Sequence, residues 1–437
     1  MLSDRLAVAL KRRNIHYGWV VAATTFLTML VTAGAVGAPG VFILPLQKEF
    51  GWQTADISAA LAIRLLLFGL MGPFAAALMN RFGVRRIATT ALLIIASGLL
   101  LSTQMTQVWQ LILLWGFVIG IGTGLTALVL GATVATRWFS QRRGLVVGLL
   151  TASSATGQLV FLPLLASLTD RVGWRISILV ACGAMAIALV VVTVLMRDRP
   201  SDVGLAPYGE TAPTAPPPAA TSSLASAMLS PIAALRDAAR TRVFWILFAS
   251  FFICGASTNG LIQTHFIPLC ADFGLPAVGA ASVLAMMGIF DFIGTVGSGW
   301  LSDRYDNRWL LFWYYGLRGL SLMVLPFTDF TFYGLSLFAM FYGLDWIATV
   351  PPTVKLAAQH FGRERANLVF GWVFTGHQIG AATAAFSAGL SRTMLATYLP
   401  AFFIAGALCL IAALLVLSII KPSKIESIAP ALAPAKA

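Results

Sequence analysis

Long apolar segments recur along the whole chain, and they restrict it to a membrane fold. Twelve segments are long enough to cross a hydrocarbon layer about 30 Å thick as helices. They cover residues 17-44, 54-78, 85-104, 108-136, 143-168, 173-196, 242-270, 277-301, 309-328, 331-358, 366-391 and 396-420. Because 59% of the 437 residues are hydrophobic and only 10% are charged, no soluble core of this size could bury them. The sequence predicts an all-α membrane protein with twelve transmembrane helices.

The basic residues between these segments indicate how the chain is oriented. If the N-terminus is cytoplasmic, the Lys and Arg residues left on the outer side are Lys48, Arg171, Arg175 and Arg392. Nearly all the others then lie on the cytoplasmic side, so the positive-inside rule favours two cytoplasmic termini and a multi-pass protein of the cell inner membrane. The net charge of +13 does not indicate nucleic acid, which requires basic residues gathered on one folded surface.

The two halves of the chain repeat. The segment AALMNRFGVRR from Ala76 aligns with GWLSDRYDNRW from Gly299, so that Asn80 matches Asp303 and Arg81 matches Arg304. Two six-helix halves in parallel register are typical of alternating-access transporters. The predicted domains are an N-terminal bundle (1-196), a cytoplasmic linker rich in Pro and Ala (197-241), a C-terminal bundle (242-420) and a cytoplasmic tail (421-437). The composition of the linker predicts poor order.

The repeated loop resembles the signature of the major facilitator superfamily, which reads Gly-x-Leu-x-Asp-Arg-x-Gly-x-Arg. The first copy departs from it at Ala76 and Asn80, and the second at Asp306. Three further segments are similar to the monocarboxylate porter and oxalate/formate antiporter branches: HYGWVV from His16, GVFILPLQKEFGW from Gly40 and RDRPSDVGLAPYG from Arg197. The resemblance covers nearly the whole chain outside the linker and tail. It implies the twelve-helix fold of that superfamily and transport of a small organic anion.

The loop motif is predicted to act as a conformational latch. A carboxylate near a helix end can pair with an arginine across the interface between the halves and with the positive end of a neighbouring helix. Because Asn80 carries no charge, the first latch should be weaker than the second. The alternative is that the arginines only follow the positive-inside rule. The predicted latch residues are Asn80, Arg81, Arg85, Asp303, Arg304 and Arg308.

Four charged residues lie well inside the predicted spans, away from the span ends: Arg64, Asp291, Arg318 and Asp345. Each costs at least about a few kcal/mol in a bilayer unless it is paired or hydrated. At the helical rise per residue, the last three lie at a similar depth in the C-terminal half. Either Asp291 binds and releases a coupling proton under the influence of Arg318 and Asp345, or Arg318 permanently neutralises one of the two acids as a structural pair.

Arg64 lies near the predicted midplane, where a guanidinium could bind a carboxylate through two parallel hydrogen bonds. The alternative is that it pairs with Asp291 or another group of the protein. The branch that the chain resembles places an arginine four residues after the acid of the eighth span and a lysine in the first span. Here those positions hold Thr295 and Gly37. Arg64 is therefore the predicted substrate anchor, unless the substrate is not a simple monocarboxylate.

Uncharged polar residues complete the predicted substrate site. In the fold that the resemblance implies, the seventh and eleventh spans can face a central cavity, and they carry Asn259, His377 and Gln378. Thr295 joins them from the eighth span. The alternative for the histidine is a bond to a neighbouring helix. His265 lies near the outer end of its span, which favours a role in packing or gating.

The sequence contains no nucleophile-base set, phosphate loop or cluster of metal ligands, and its four cysteines have no paired spacing. It predicts neither an enzyme nor a cofactor. The predicted function is a monomeric secondary transporter in the lipid bilayer whose partners are a small organic anion, most simply a carboxylate, and protons. Two alternatives remain: efflux of amphipathic compounds by proton antiport, and a membrane sensor that transports nothing.

Overall fold

The computed structural model describes residues 2–37, 39–126, 128–210 and 224–420, and within these ranges it is almost entirely helical. The only extended pairing among the described residues is an isolated bridge between Phe139 and Tyr208. The helices of the N-terminal half are α1 (Leu2–Arg12), α2 (Gly18–Gly37), α3 (Pro39–Phe50), α4 (Thr54–Phe82), α5 (Val84–Ser102), α6 (Val108–Leu111), α7 (Ile119–Leu125), α8 (Leu128–Trp138), α9 (Arg143–Val172) and α10 (Trp174–Leu195).

The C-terminal half follows after a connecting helix, α11 (Leu224–Ala238). Its helices are α12 (Arg242–Gly255), α13 (Gln263–Asp272), α14 (Ala277–Arg304), α15 (Asn307–Val324), α16 (Phe332–Asp345), α17 (Val350–Phe361), α18 (Arg363–Leu395) and α19 (Leu399–Leu417). Apolar residues form one large core that runs through both halves.

Within the described residues, ten helical segments are long and apolar enough to cross a membrane, and they coincide with ten of the predicted spans. The predicted spans at 143-168 and 366-391 correspond to α9 and α18. These helices have 30 and 33 residues and are not among the ten. The structure therefore supports an all-α membrane protein, with ten spans identified by length and hydropathy.

Two parts of the predicted linker are ordered, contrary to the expectation from its composition. A short 3₁₀ turn covers Pro200–Val203, and α11 packs against both α4 and α18. The indole Nε1 of Trp372 in α18 donates a hydrogen bond to the backbone oxygen of Pro231 in α11, at 2.7 Å. Residues 211–223 of the linker and the predicted tail 421–437 lie outside the described residues.

Among the described residues, three of the predicted spans are interrupted near their middle. A π-helical segment, Ile112–Val118, separates α6 from α7, and another, Ala256–Ile262, separates α12 from α13. In the tenth predicted span, α16 ends at Asp345 and α17 begins only at Val350. Backbone groups outside a regular helix need other partners inside a membrane, so these interruptions are places to look for functional side chains.

One contact between the two halves runs along α4 and α18. At one end of this contact the backbone N–H of Ala55 donates to Thr393 Oγ1 at 3.1 Å. Near the middle Thr375 Oγ1 donates to the backbone oxygen of Gly69 at 3.3 Å. At the other end the ring of Phe74 lies edge-on to Trp372. Contact along the whole pair of helices brings polar residues of α18 against the N-terminal half.

Candidate functional site

The break between α16 and α17 is held by Arg318 of α15, which is only 1% exposed. Its Nη2 donates to the backbone oxygens of Asp345 at 2.6 Å and Trp346 at 3.2 Å, and its Nε donates to Asp345 Oδ2 at 2.6 Å. The last carbonyls of a helix have no partner within the helix and form its negative end. The guanidinium therefore satisfies the end of α16 and pairs with its last acid at the same time.

Asp291 of α14 reaches the same break from the other side. Its Oδ1 accepts hydrogen bonds from the backbone N–H of Ile347, at 2.9 Å, and from Thr295 Oγ1, at 3.0 Å. The structure thus brings Asp291, Arg318 and Asp345 together, as their depths in the sequence predicted. Among the described residues, the ion pair joins Arg318 to Asp345 and not to Asp291.

Close packing of α14 on α16 makes this arrangement possible. A Cβ atom at Gly294 would lie 1.8 Å from the backbone oxygen of Leu344, and one at Gly343 would lie 2.6 Å from that of Met287. Ser298 of α14 also donates a hydrogen bond to the backbone oxygen of Ala348, at 2.5 Å. Two glycines and a serine thereby bring the acid of α14 within reach of the interrupted backbone.

The charges at the break do not balance. Asp291 and Asp345 are 5% and 6% exposed, and the guanidinium of Arg318 is the one cation that the described residues bring to them. The remaining Nη1 of Arg318 donates to Cys254 Sγ at 2.9 Å, a partner that the sequence analysis did not predict. A buried carboxylate without a counter-charge is costly, whereas a protonated carboxyl is not. The cluster is suited to hold one exchangeable proton.

The predicted residues of α18 lie where the halves meet. Gln378 is fully buried, and neither its amide oxygen nor its amide nitrogen has a hydrogen-bond partner among the described residues; the same holds for His377 Nδ1. A Cβ at Gly69 of α4 would lie 2.4 Å from Gln378 Cβ. Buried polar atoms are nearly always satisfied, so these atoms indicate a place for water or a ligand.

The imidazole of His377 packs among aromatic rings, parallel to Phe374 at 5.5 Å and tilted against Phe251 at 5.3 Å. Asn259 lies in the π-helical segment Ala256–Ile262, half-buried, and its backbone oxygen accepts from Thr264 Oγ1 at 2.8 Å. His265 bonds through Nε2 to the backbone oxygen of Ala385, at 2.7 Å. That bond joins α13 to α18 and agrees with a packing role.

Arg64 of α4 is 4% exposed and lines a small cavity inside the N-terminal half. The volume of this cavity, about 20 Å³, leaves room for about one water molecule. The other lining residues all belong to that half: Pro39, Phe42, Leu99, Trp115, Ile119, Leu165, Ile178 and Ala181. This cavity does not bring Arg64 together with Asp291 or with the polar residues of α18. Trp115, which was not among the predicted site residues, also lines this cavity.

Comparison with known proteins identifies the family of this chain. The family model described as Major Facilitator Superfamily matches residues 25–385. The chain belongs to the Major Facilitator Superfamily. It is accordingly a transport protein and not an enzyme.

Relatives within the superfamily match most of the chain. Monocarboxylate transporter 13 of Rattus norvegicus is 28% identical over 399 residues, which are 90% of this chain and 87% of that protein. An uncharacterized MFS-type transporter of Bacillus subtilis (strain 168), YcxA, is 23% identical over 396 residues, covering 89% and 91%. Monocarboxylate transporter 11 of Mus musculus is 30% identical over 295 residues, covering 66% and 60%.

The superfamily loop motif makes matching contacts in the two halves. Arg85 donates a hydrogen bond through its guanidinium to the backbone oxygen of Thr193 near the end of α10, and Arg308 donates likewise to that of Ile419 beyond α19, at 2.8 Å. Arg137 Nη2 donates to the backbone oxygen of Met79, and Lys355 Nζ to that of Ser302. Met79 and Ser302 are equivalent positions of the repeat. Each motif therefore ties helices of its own half together.

The predicted latch residues have local partners. Asp303 Oδ1 pairs with Lys355 Nζ at 2.8 Å, so its cation comes from the same half and not from across the interface. Arg304 lies over the ring of Trp300, and Arg308 pairs with Asp306. In the first copy, the backbone N–H of Arg85 donates to Asp198 Oδ1 at 2.8 Å.

The first copy of the motif contains two further predicted latch residues, Arg81 and Asn80. Arg81 is exposed, with its guanidinium over Phe82. The side chain of Asn80 lies outside what the structure describes.

Proposed function

We propose that this protein is a secondary transporter that moves a small organic anion, a carboxylate, across the inner membrane together with protons by alternating access. The substrate class is supported by relatives named as monocarboxylate transporters, one of which matches 90% of the chain. The proton is supported by one structural observation: two buried carboxylates, Asp291 and Asp345, face the single guanidinium of Arg318.

The roles of the two acids follow from their bonds. Asp345 is engaged by the guanidinium of Arg318 and stays ionised, because removing its proton creates the ion pair that ends α16. Asp291 has only a hydroxyl and a backbone N–H as partners, so it is the carboxyl that gains and loses the proton. Because Ile347 belongs to the break, protonation of Asp291 changes the bonding of the interrupted span directly.

The substrate site is proposed on His377 and Gln378 of α18, where the halves meet, and it includes Asn259 and Thr295 as further polar groups. Unsatisfied amide atoms on Gln378 support it, since both a donor and an acceptor are available there. In this proposal Arg64 supplies the positive charge, although the cavity that it lines in this structure is separate from the residues of α18. The proposed topology has twelve spans, including α9 and α18, with both termini cytoplasmic, as the distribution of basic residues favours.

The test is uptake into proteoliposomes that contain the purified protein. Labelled acetate, succinate and a lipophilic cation are offered separately, with and without an imposed pH gradient. We expect acetate uptake that rises with an acidic outside and collapses with a protonophore. Uptake of the lipophilic cation in exchange for protons would instead indicate that the protein exports amphipathic compounds by proton antiport. No flux of any probe above that of protein-free liposomes would contradict it.

A further inference from the structure

The short helix α1 precedes the first span and packs against the side of the N-terminal half. It contacts α10 and the 3₁₀ turn Pro200–Val203. Ala7 is 8% exposed and belongs to the apolar core, and Leu6 and Leu10 are partly buried against that core. One side of α1 is therefore fixed on the protein, beside α10 and directly before α2.

The remaining surface of α1 is positively charged. Arg5, Lys11 and Arg12 of this helix and Arg13 just after it are all exposed, and Asp4 is the only acid among residues 1–16. None of the four basic side chains forms an ion pair with a described residue. Their charge is therefore available to a ligand.

Apolar side chains lie among these charges. Val8 of α1 is 56% exposed, and Ile15 in the connection to α2 is 44% exposed. Apolar and basic residues side by side are typical of helices that lie at the boundary between the headgroups and the acyl chains of a membrane. A membrane surface accounts for both kinds of side chain, whereas water alone accounts only for the charged ones.

An apolar groove of about 500 Å³ opens next to α1, between α2 and α10. It is lined by Leu6 of α1, by residues of α2 from Trp19 to Leu27, and by Val191 and Leu195 of α10. At the helical rise per residue, the stretch of α2 is about 12 Å long. Its one polar side chain, Thr24, donates through Oγ1 to the backbone oxygen of Val20 at 2.8 Å. The groove therefore offers an elongated apolar surface that begins beside α1.

The groove is open towards the bilayer. Ile187, Val190 and Val194 of α10 are 63%, 60% and 37% exposed, and the spacing of three and four residues places them on the same side of the helix as Val191 and Leu195. Trp19 at the start of the groove is a residue type that is enriched where a membrane meets water. In a membrane protein, an exposed apolar surface of this kind is covered by acyl chains.

We propose that α1 and this groove bind one anionic phospholipid of the surrounding membrane. The headgroup is held by Arg5, Lys11, Arg12 and Arg13, and an acyl chain lies in the groove between α2 and α10. Charge complementarity selects the headgroup, because basic residues gathered on an amphipathic helix beside a span attract anionic lipids. The apolar groove selects a lipid over a free anion. This site is separate from the proposed transport site and does not depend on the transported substrate.

The first experiment tests the headgroup. Protein purified in detergent is titrated with phosphatidylglycerol or phosphatidylcholine of identical acyl chains, and thermal stabilisation gives the lipid fraction needed for half the effect. Each basic residue near an anionic surface contributes about a fivefold factor in binding. We expect wild type to prefer phosphatidylglycerol about tenfold or more. The preference should disappear when Arg5, Lys11, Arg12 and Arg13 are all changed to Gln.

The matched control removes four other exposed basic residues, which the sequence places on the same side of the membrane as the N-terminus. Changing them to Gln alters the net charge by the same amount and should leave the preference at the wild-type value. These residues are Arg86, Arg236, Arg240 and Arg242.

The second experiment tests the groove. Ala23 is exposed and lines the groove, so the ring in Ala23→Phe takes the place of the acyl chain without entering the core. We expect this variant to bind phosphatidylglycerol about fivefold or more weakly than wild type. Ala186→Phe is the control, since Ala186 of α10 is also exposed but does not line the groove. It should bind like wild type.

Several outcomes would overturn the proposal. Equal stabilisation of wild type by the two lipids would show that the headgroup is not recognised, and a preference that survives the fourfold change would place recognition elsewhere. Wild-type binding by Ala23→Phe would exclude the groove. Glycerol phosphate carries the charge without the chain, and stabilisation by it as strong as by phosphatidylglycerol would assign the charges to a free anion. Should the fourfold variant fail to purify, the double change Lys11→Gln and Arg12→Gln should still reduce the preference about tenfold.

Discussion

The carboxylate of Asp291 in α14 accepts a hydrogen bond from the backbone N–H of Ile347, 2.9 Å away, in the turn that separates α16 from α17. A titratable side chain is thereby bonded to the main chain of a neighbouring span at the point where that span is not helical. Adding a proton weakens this bond, because a neutral carboxyl is a poorer acceptor than a carboxylate. Any proton that Asp291 binds would therefore affect the break through this one contact.

The first prediction concerns Asp291→Asn. The amide oxygen can still accept from Ile347 and Thr295, so we expect folded protein at the wild-type level. The amide cannot exchange a proton, so uptake driven by a pH gradient should be lost, while exchange of labelled for unlabelled anion at equal pH persists. Both fluxes are measured in proteoliposomes. Asp170→Asn, which alters an exposed acid of α9, is the control and should leave both fluxes unchanged. Gradient-driven uptake at the wild-type rate in Asp291→Asn would exclude the proton role.

The second prediction concerns Asp345→Asn. The chemical change is the same as in Asp291→Asn, but the expected effect is a loss of stability. Removing this charge leaves the guanidinium of Arg318 buried without its partner. Breaking a buried ion pair from one side typically costs about 3 to 5 kcal/mol. We expect a clearly lower Tm in detergent, measured by the thermal loss of monodisperse protein. Asp303→Asn removes one partner of a largely exposed pair and should leave Tm almost unchanged. An equal Tm for both variants would contradict the structural role of Asp345.

The third prediction compares two glycines of α14. Gly294→Ala would place a methyl group 1.8 Å from the backbone oxygen of Leu344, so α14 and α16 must separate. Gly297→Ala, less than one turn away, meets no atom of the described residues within 4 Å. We expect little folded Gly294→Ala protein and a normal yield of Gly297→Ala, as judged by size-exclusion chromatography. Normal yield and activity of Gly294→Ala would show that the helices are not packed as described.

The fourth prediction concerns Arg64→Lys. A lysine keeps the charge but loses the planar fork that binds a carboxylate through two parallel bonds. If Arg64 anchors the substrate, the apparent KM for the transported anion should rise about tenfold or more, and Arg64→Ala should raise it further. Initial uptake rates over a range of concentrations measure this. An unchanged KM in Arg64→Ala would move the anchor to another residue.

Much of the architecture could be predicted because it depends on local composition. Apolar segments are read directly from the chain, and ten of the twelve predicted spans are identified again by the length and hydropathy of the helices. The meeting of Asp291, Arg318 and Asp345 followed from counting the rise per residue. Helical geometry alone was sufficient for that prediction.

The partners of these side chains could not be predicted in the same way. Arg318 binds backbone carbonyls as well as Asp345, and no pattern of residue types specifies a backbone partner. Pro351 and Pro352, just after the break, were the available signal that the tenth span is not continuous. Thr295 was expected near the substrate, and the structure bonds it to Asp291.

Trp115 was missed for a different reason. Hydropathy treats tryptophan as an apolar residue, so its indole N–H does not register, and a π-helical segment has no clear sequence pattern. The partner of Asp303 could not be predicted either, because the loop motif specifies charges without their partners. Asp303 pairs with Lys355 of its own half, which only the packing of α17 beside α14 reveals.

The contact between Arg318 and Asp345 also sets an order of events during synthesis. The ribosome completes α15 before α16, so Arg318 is synthesised before its partner and has no acid to pair with until α16 joins α15. An arginine near the centre of an inserting helix costs about 2.5 to 3.5 kcal/mol. The cost is recovered only when α16 arrives, so these two helices form a single unit of biogenesis. A chain that ends before Asp345 would therefore leave Arg318 without the acid that it pairs with in the complete bundle.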